Sequence, residues 1–442
     1  MSAESRASFF RQSGWLVIAT FVSGVAMWAV HLFSKHPALA PGEYGVFTTM
    51  LQLLYWMMIP GIGVGLVFAQ QAAAVTDEAG RQRLAGAVRT VTGAMFALWL
   101  LACGVLALTQ AQVVAALNLP SPAPLWVTLA TGLCLGWQPI WFGVLQGRHD
   151  FFWLGTVQMF NGFGRIGGAA VMLLLLQQVH ATGLVTGAFL GLAVSTGLAI
   201  WLGRDLLTGP AQPLVWRPWL RHVVPLTLGM GTTMFFLSAD MVFVQSRFPE
   251  AAGGTDAYGA AGTLARALVT FTAPLSAVMF PLLVRAGAQG TRSEAGTLTL
   301  VATLVMGLGG AVALTVLAGF FLRLGFSPKF AAAAPLVPWF AWGMLPLTLT
   351  NVLVAQLFAR ERYAAAPWLA LTALAYAGGL WLWVPKFQPG GDHLAGFVRV
   401  TQIIGGFNLL LLAVAAWFTW GRADGPKTKV QESNGLERQG GV

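Results

Sequence analysis

The stretch YGVFTTMLQLLYWMMIP, residues 44–60, has a counterpart in YGAAGTLARALVTFTAP, residues 258–274. Both open on Tyr-Gly and close on a proline sixteen positions later. Both place a polar residue eight positions in, Gln52 in the first and Arg266 in the second. The two stretches lie 214 residues apart, and a second echo, Leu145 to Arg148 against Leu357 to Arg360, recurs at an offset of 212. Two echoes at nearly one offset mark a duplication. Six apolar runs fall in each copy. Six is even, so the copies cross a membrane in the same direction, related by an axis along its normal, an arrangement that leaves an interface between halves for a ligand.

Composition demands lipid as the solvent. The 442 residues are 57% hydrophobic and only 9% charged, against about 25% charged in soluble domains, and the mean hydropathy is +0.71. About 20 apolar residues are needed to span a bilayer as a helix. Runs of that length occupy 13–34, 45–70, 87–108, 123–145, 153–176, 184–203, 222–246, 257–284, 297–320, 333–358, 366–384 and 397–420. The reading is an all-α polytopic membrane protein of twelve transmembrane helices. It divides into an N-terminal lobe (1–203), a polar linker (204–221) holding Pro210, Pro213 and Pro218, a C-terminal lobe (222–420), and a disordered tail (421–442). The 53 Gly suit such bundles, where small residues let helices approach closely. The first apolar run lacks a cleavage motif before Lys35 and is read as a retained helix.

The net charge of +10 could suggest nucleic acid. The basic residues instead sit in short loops: seventeen of the 25 Lys and Arg fall on the side of the termini and six on the other. That bias places both termini in the cytoplasm and excludes a nucleic-acid partner as the simpler account. Cys103 and Cys134 lie inside apolar runs, without metal-ligand spacing. No G-x-x-x-x-G-K-[ST] or H-E-x-x-H motif occurs, and no soluble segment is large enough for an ATPase. No cofactor, metal or catalytic residue is expected.

Three charges remain inside spans: Arg165, Asp240 and Arg266. Ionisable groups at that depth cost several kcal/mol and face a bundle interior or a polar path. Arg165 shares one helical face with Gln158 and Asn161, ~18 Å from the terminal side. The Gly162-x-Gly164-x-x-Gly167 pattern in the same span has no preceding strand, so its glycines serve close helix packing rather than a dinucleotide. Asp240 and Arg266 flank one short loop at depths that agree within about a turn. Their pairing leaves two readings open: a static salt bridge, or a carboxylate that exchanges a proton or Na+ and releases Arg266. Thr48, Gln52 and Tyr55 form a matching polar face on span 2. Trp56, Trp137 and Trp141 lie deeper than an interfacial belt and read as packing residues rather than sugar platforms.

Pro41-Gly42-Glu43-Tyr44-Gly45, Gln146-Gly147-Arg148, Asp240 and Tyr258-Gly259 together make the chain, over about residues 10–420, similar to the oligosaccharide flippases (Wzx-type) of the polysaccharide transport family. These share a superfamily with the multidrug and toxic-compound extruders. The resemblance implies two six-helix lobes around a central cavity that opens alternately to the two sides, in a bacterial inner membrane. It implies an anionic lipid-linked glycan as substrate and polysaccharide-biosynthesis enzymes as partners. Arg266 with Gln52, and Arg165 with Asn161, Gln158 and Tyr55, would line the cavity, and Asp240 is the ion-coupling candidate. Span 1 lacks the acid that several extruders use. Two other functions stay open: an ion-coupled exporter of cationic drugs, and a non-transporting subunit of an exopolysaccharide synthase.

Overall fold

The computed structural model describes residues 3–248, 252–288, 295–360, 362–384 and 393–421. Of the expected disordered tail, 421–442, Gly421 ends a helical turn and the rest lies outside the described residues. The described chain is helical: α1 (Ala3–Ala29), α2 (Glu43–Ala73), α3 (Glu78–Ala116), α4 (Ala123–Gly147), α5 (Phe151–Ala170), α6 (Ala181–Leu202), α7 (Trp216–Arg247), α8 (Ala252–Ala288), α9 (Ala295–Val316), the short α10 (Ala318–Gly325), α11 (Leu336–Ala359), α12 (Ala366–Trp383) and α13 (His393–Ala416). Helices satisfy every backbone polar group within the segment, which lipid requires. Ten of them, among the described residues, are long and apolar enough to cross a membrane. The two long helices outside that set are α5 and α8, the carriers of Arg165 and Arg266.

The duplication is visible in the packing. In the first half α1 packs on α5, α2 on α4, α4 on α6, α5 on α6 and α3 on α4. In the second half α7 packs on α12, α8 on α11, α11 on α13, α12 on α13 and α9 on α11. The same five pairings recur in the same order once α10 is set aside. That short helix and a 3₁₀ turn at Pro328–Ala333 fill the Pro- and Gly-rich stretch after span 9.

The halves meet in two ways. Helix α2 lies along α7 through its depth: Trp56 donates from Nε1 to Ser238 Oγ at 3.0 Å, Gly63 abuts Thr227, and Phe68 faces Trp219 with ring centroids 6.4 Å apart. On the face away from the termini, here the distal face, α1 reaches the second half. Lys35 Nζ donates to the Leu324 carbonyl at 2.7 Å, the Ser327 N–H donates to Ser34 Oγ at 3.2 Å, and Trp28 packs edge-on against Phe326. Helices α2 and α8 also meet there, Gly45 against Thr255 and Gly259 against Thr48.

The connection between halves is fastened rather than loose. Arg148 makes a two-pronged pair with Asp205, at 2.9 and 2.7 Å. Arg89 on α3 donates to the carbonyls of Leu206 and Gly209, and the Gln212 N–H donates to the Gln82 carbonyl at 3.0 Å. Residues 216–221, read from the sequence as the end of the linker, form the start of α7. Pro218 is tolerated there because the first N–H groups of a helix have no intrahelical acceptor.

Glycines set the α5–α6 spacing. Gly164 lies against Gly191 and Gly168 against Gly187, backbone on backbone, as the small-residue spacing of α5 predicts. A Cβ at 191 would sit 2.5 Å from Arg165 N and from Asn161 O. Gly191→Ala is therefore expected to cost about 1–3 kcal/mol through overpacking. Gly197→Ala, on the same helix in open space, should be neutral or mildly stabilising. Thermal unfolding of the two purified variants checks this, and equal midpoints would contradict it.

Candidate functional site

The three intramembrane charges fall into two separate environments. In the second half, Asp240 (0% exposed) and Arg266 (6% exposed) form a buried pair. One carboxylate oxygen, Oδ2, accepts from Arg266 Nη2 and from the Tyr258 hydroxyl at 2.9 Å. Arg266 Nε donates to the Leu237 carbonyl at 2.7 Å, and the guanidinium lies 5.8 Å from the Phe340 ring centroid. The guanidinium folds back over its own helix at Gly262, where any Cβ would overlap it. The chamber is not fully satisfied: Asp240 Oδ1, Arg266 Nη1 and the Tyr376 hydroxyl are buried without partners. Tyr376 is stacked on Phe236 at 4.6 Å.

The first half holds the polar stripe of α5. Gln158 accepts from Thr20 of α1 at 2.7 Å, so it is spent on a helix–helix bond. Asn161 Oδ1 and Arg165 Nε are buried without hydrogen-bond partners. Arg165 lies within electrostatic reach of Tyr55 on α2 and of His31 beyond the end of α1. Gln52 is buried on α2, its Oε1 likewise unpartnered. Thus Arg165 of α5, within electrostatic reach of Tyr55 and His31, is a positive charge whose Nε is unfilled, and no carboxylate is bonded to it among the described residues.

The structure joins Asp240 to Arg266. It does not show Gln52 bonded to Arg266: the arginine is turned into its own half, onto Asp240 and Leu237. Trp56 is held by Ser238 and stacked on Phe235, and Trp137 donates to the Thr92 carbonyl, so both are packing residues. Sequence reasoning missed three features. Tyr258, seen only as a repeat marker, is a partner of Asp240. Its counterpart Tyr44 bonds His31 at 2.8 Å. Asp256, assigned to a loop, is buried at the contact between halves. The available signal for the tyrosines was their recurrence: each follows a titratable residue, Tyr44 by 13 positions after His31 just past α1 and Tyr258 by 18 after Asp240 on α7.

No protein-family model and no curated sequence matches this chain. Solved structures do. An inward-facing multidrug resistance transporter of the MATE family superposes with a TM-score of 0.69 at 14% identity, covering 91% of this chain and 94% of that one. The lipid II flippase MurJ, in an inward closed conformation, gives 0.66 at 15% identity, covering 91% and 87%. A MOP-superfamily transporter from Pyrococcus furiosus, described as having a binding pocket of reversed polarity, gives 0.61 at 14% identity, covering 94% of each. What the chain shares with all three is the fold, and its own twelve long helices in two halves are consistent with it.

Proposed function

We propose that the protein is a flippase of the bacterial inner membrane, with both termini cytoplasmic, that moves a lipid-linked oligosaccharide or polysaccharide intermediate by alternating access between its lobes. The observation that carries this reading is the balance of charge. Asp240 is neutralised by Arg266, so of the three intramembrane charges Arg165 is left without a counter-charge among the described residues, and its Nε has no partner. A free guanidinium with adjacent amide and phenol groups favours a substrate with acidic oxygens, a diphosphate or an acidic sugar, since Arg binds such groups in two-pronged fashion. It disfavours a cationic drug, which would desolvate against it. Tyr55, Asn161 and Gln52 complete the cradle, while Gln158 positions α1. Asp240 remains the candidate for coupling to a proton or Na+, through the release of Arg266, and polysaccharide-biosynthesis enzymes are the expected partners.

The test replaces Arg165 in cells lacking their chromosomal copy. Hydrogen bonds to charged groups contribute about 1.5–3 kcal/mol, so Arg165→Ala should lower export about ten- to a hundredfold and accumulate lipid-linked precursor. Arg165→Lys, which keeps charge but not the planar fork, should fall between. Undiminished surface glycan from a stably inserted Arg165→Ala protein would overturn the reading.

A further inference from the structure

Helix α2 begins at Gly42, whose φ of +89° suits glycine and which has no side chain to cap the helix. The missing cap comes from the other half of the molecule. Asp256 Oδ2 accepts from the Gly42 N–H at 2.8 Å, and Oδ1 from the Gly45 N–H at 2.6 Å. These are the N-cap and third positions of α2, where free N–H groups and the helix dipole favour a carboxylate. By the repeat offset of 214, Gly42 is the counterpart of Asp256 itself, so the bond crosses the pseudo-symmetry axis. Directly beneath it, the repeated glycines Gly45 and Gly259 are the points of closest approach, to Thr255 and Thr48. Asp256 is 4% exposed. It precedes the span 257–284 and therefore sits at the distal rim of the membrane region.

We propose that Asp256 is the latch that holds the distal face closed, and that opening of the lobes to that side withdraws its carboxylate from the α2 N-terminus. The inference rests on alternating access but not on the identity of the substrate. A distal pocket of about 230 Å³, lined in part by Gly42, Glu43, Gln245 and Thr255, borders the latch. The titratable and charged groups facing Asp256 are Glu43 and Tyr44 of α2 and Lys329 of the 328–333 turn. Glu43 is itself committed within the first half. It accepts from the Ala181 N–H of α6 at 2.6 Å and has the His180 ring 3.7 Å away.

The closing step is linked to protons, and its sign follows from burial. In the closed latch desolvation pushes the Asp256 carboxyl up to about 6, outweighing the two N–H donors that pull it down. With the lobes apart the group is solvated and returns to the ordinary carboxylate range. The closed state therefore binds the proton more tightly. Acid on the distal side favours closure, and that contribution is lost as pH rises through about 6.

Nitroxide labels on the full-length chain test both parts. They are attached at Ala38→Cys and Arg323→Cys, exposed distal sites of the two halves, with Cys103→Ser and Cys134→Ser removing the native thiols. Distances are read by pulsed electron paramagnetic resonance in lipid nanodiscs from pH 5 to pH 8. The wild-type background should be closed at acid pH and shift toward longer distances, by up to ~10 Å, a helix diameter, as pH rises through about 6. Asp256→Asn, permanently neutral but still an acceptor, should stay closed at every pH. Asp256→Ala should be open at every pH. Asp256→Ala giving wild-type distances at both ends of the range would remove the latch. Wild-type pH dependence surviving in Asp256→Asn would assign the titration to another group. Undiminished glycan export by Arg165→Ala, the result that overturns the substrate reading, leaves these distances unchanged, so the two readings fail separately.

Discussion

Asp240→Ala should lower the stability of the folded protein by about 3–5 kcal/mol, because it strands the Arg266 charge in the core of the second half. The guanidinium would keep only the Leu237 carbonyl, and it lies too deep, at 6% exposure, to recover hydration. Removing both charges is a different matter. A buried pair exchanged for apolar groups of similar volume is often neutral or stabilising, so Asp240→Leu with Arg266→Met should restore most of the loss. Thermal unfolding in detergent of the single and double variants reads this directly. A double variant no more stable than Asp240→Ala would mean that the pair is not an isolated unit. The same double variant separates the two roles of the pair. If it folds and exports, the salt bridge is structural; if it folds and does not export, the pair is needed for the transport cycle.

Gly86→Ala is the second large expected effect. It removes a glycine from the interior of a 39-residue helix, α3, a change that on propensity alone gains about 1 kcal/mol. Here the new Cβ would overlap the backbone carbonyl of Gln212, which is fixed in place by the Gln212 N–H to Gln82 bond. The linker must lift off α3, loosening the bonds from Arg89 to Leu206 and Gly209. A net loss of about 1–3 kcal/mol is expected, together with new protease sensitivity between residues 207 and 215. Gly93→Ala, seven residues along the same helix and in open space, should show neither. Matching melting points and cleavage patterns for the two variants would disprove the close docking of the linker.

The twelve helices, the repeat and the glycine stripe of α5 were legible because each is a matter of period and spacing. A run of about 20 apolar residues has few structures open to it in lipid. The offset of 214 links Tyr44 to Tyr258 whatever the surrounding residues do. Side-chain direction was less legible. Arg266 and Gln52 hold matching positions, which suggested that they face each other. The side chain of Arg266 spans several rotatable bonds, however, and Gly262 clears a place for it one turn back, beside Asp240. Gln158 shares a face with Asn161 and Arg165, yet Thr20 of α1 claims it. Asp256 was invisible as a site because its partners are backbone N–H groups 214 and 211 positions away, and backbone donors leave no mark in a sequence. The docking of the linker on α3 escaped for the same reason, since Arg89 and Gln212 bond there to backbone carbonyls.

The pairing of Asp240 with Arg266 has an electrical consequence. A membrane potential acts on net charge, at about 2.3 kcal/mol per elementary charge per 100 mV. The pair carries none so long as it moves as one body with the second lobe, and rocking that lobe does no work against the field through these two residues. Arg165 has no such counter-charge among the described residues. On the proposed alternating access, movement of the first lobe without an acidic ligand would displace its guanidinium in the field alone, and with such a ligand bound the two would move together and their charges would offset.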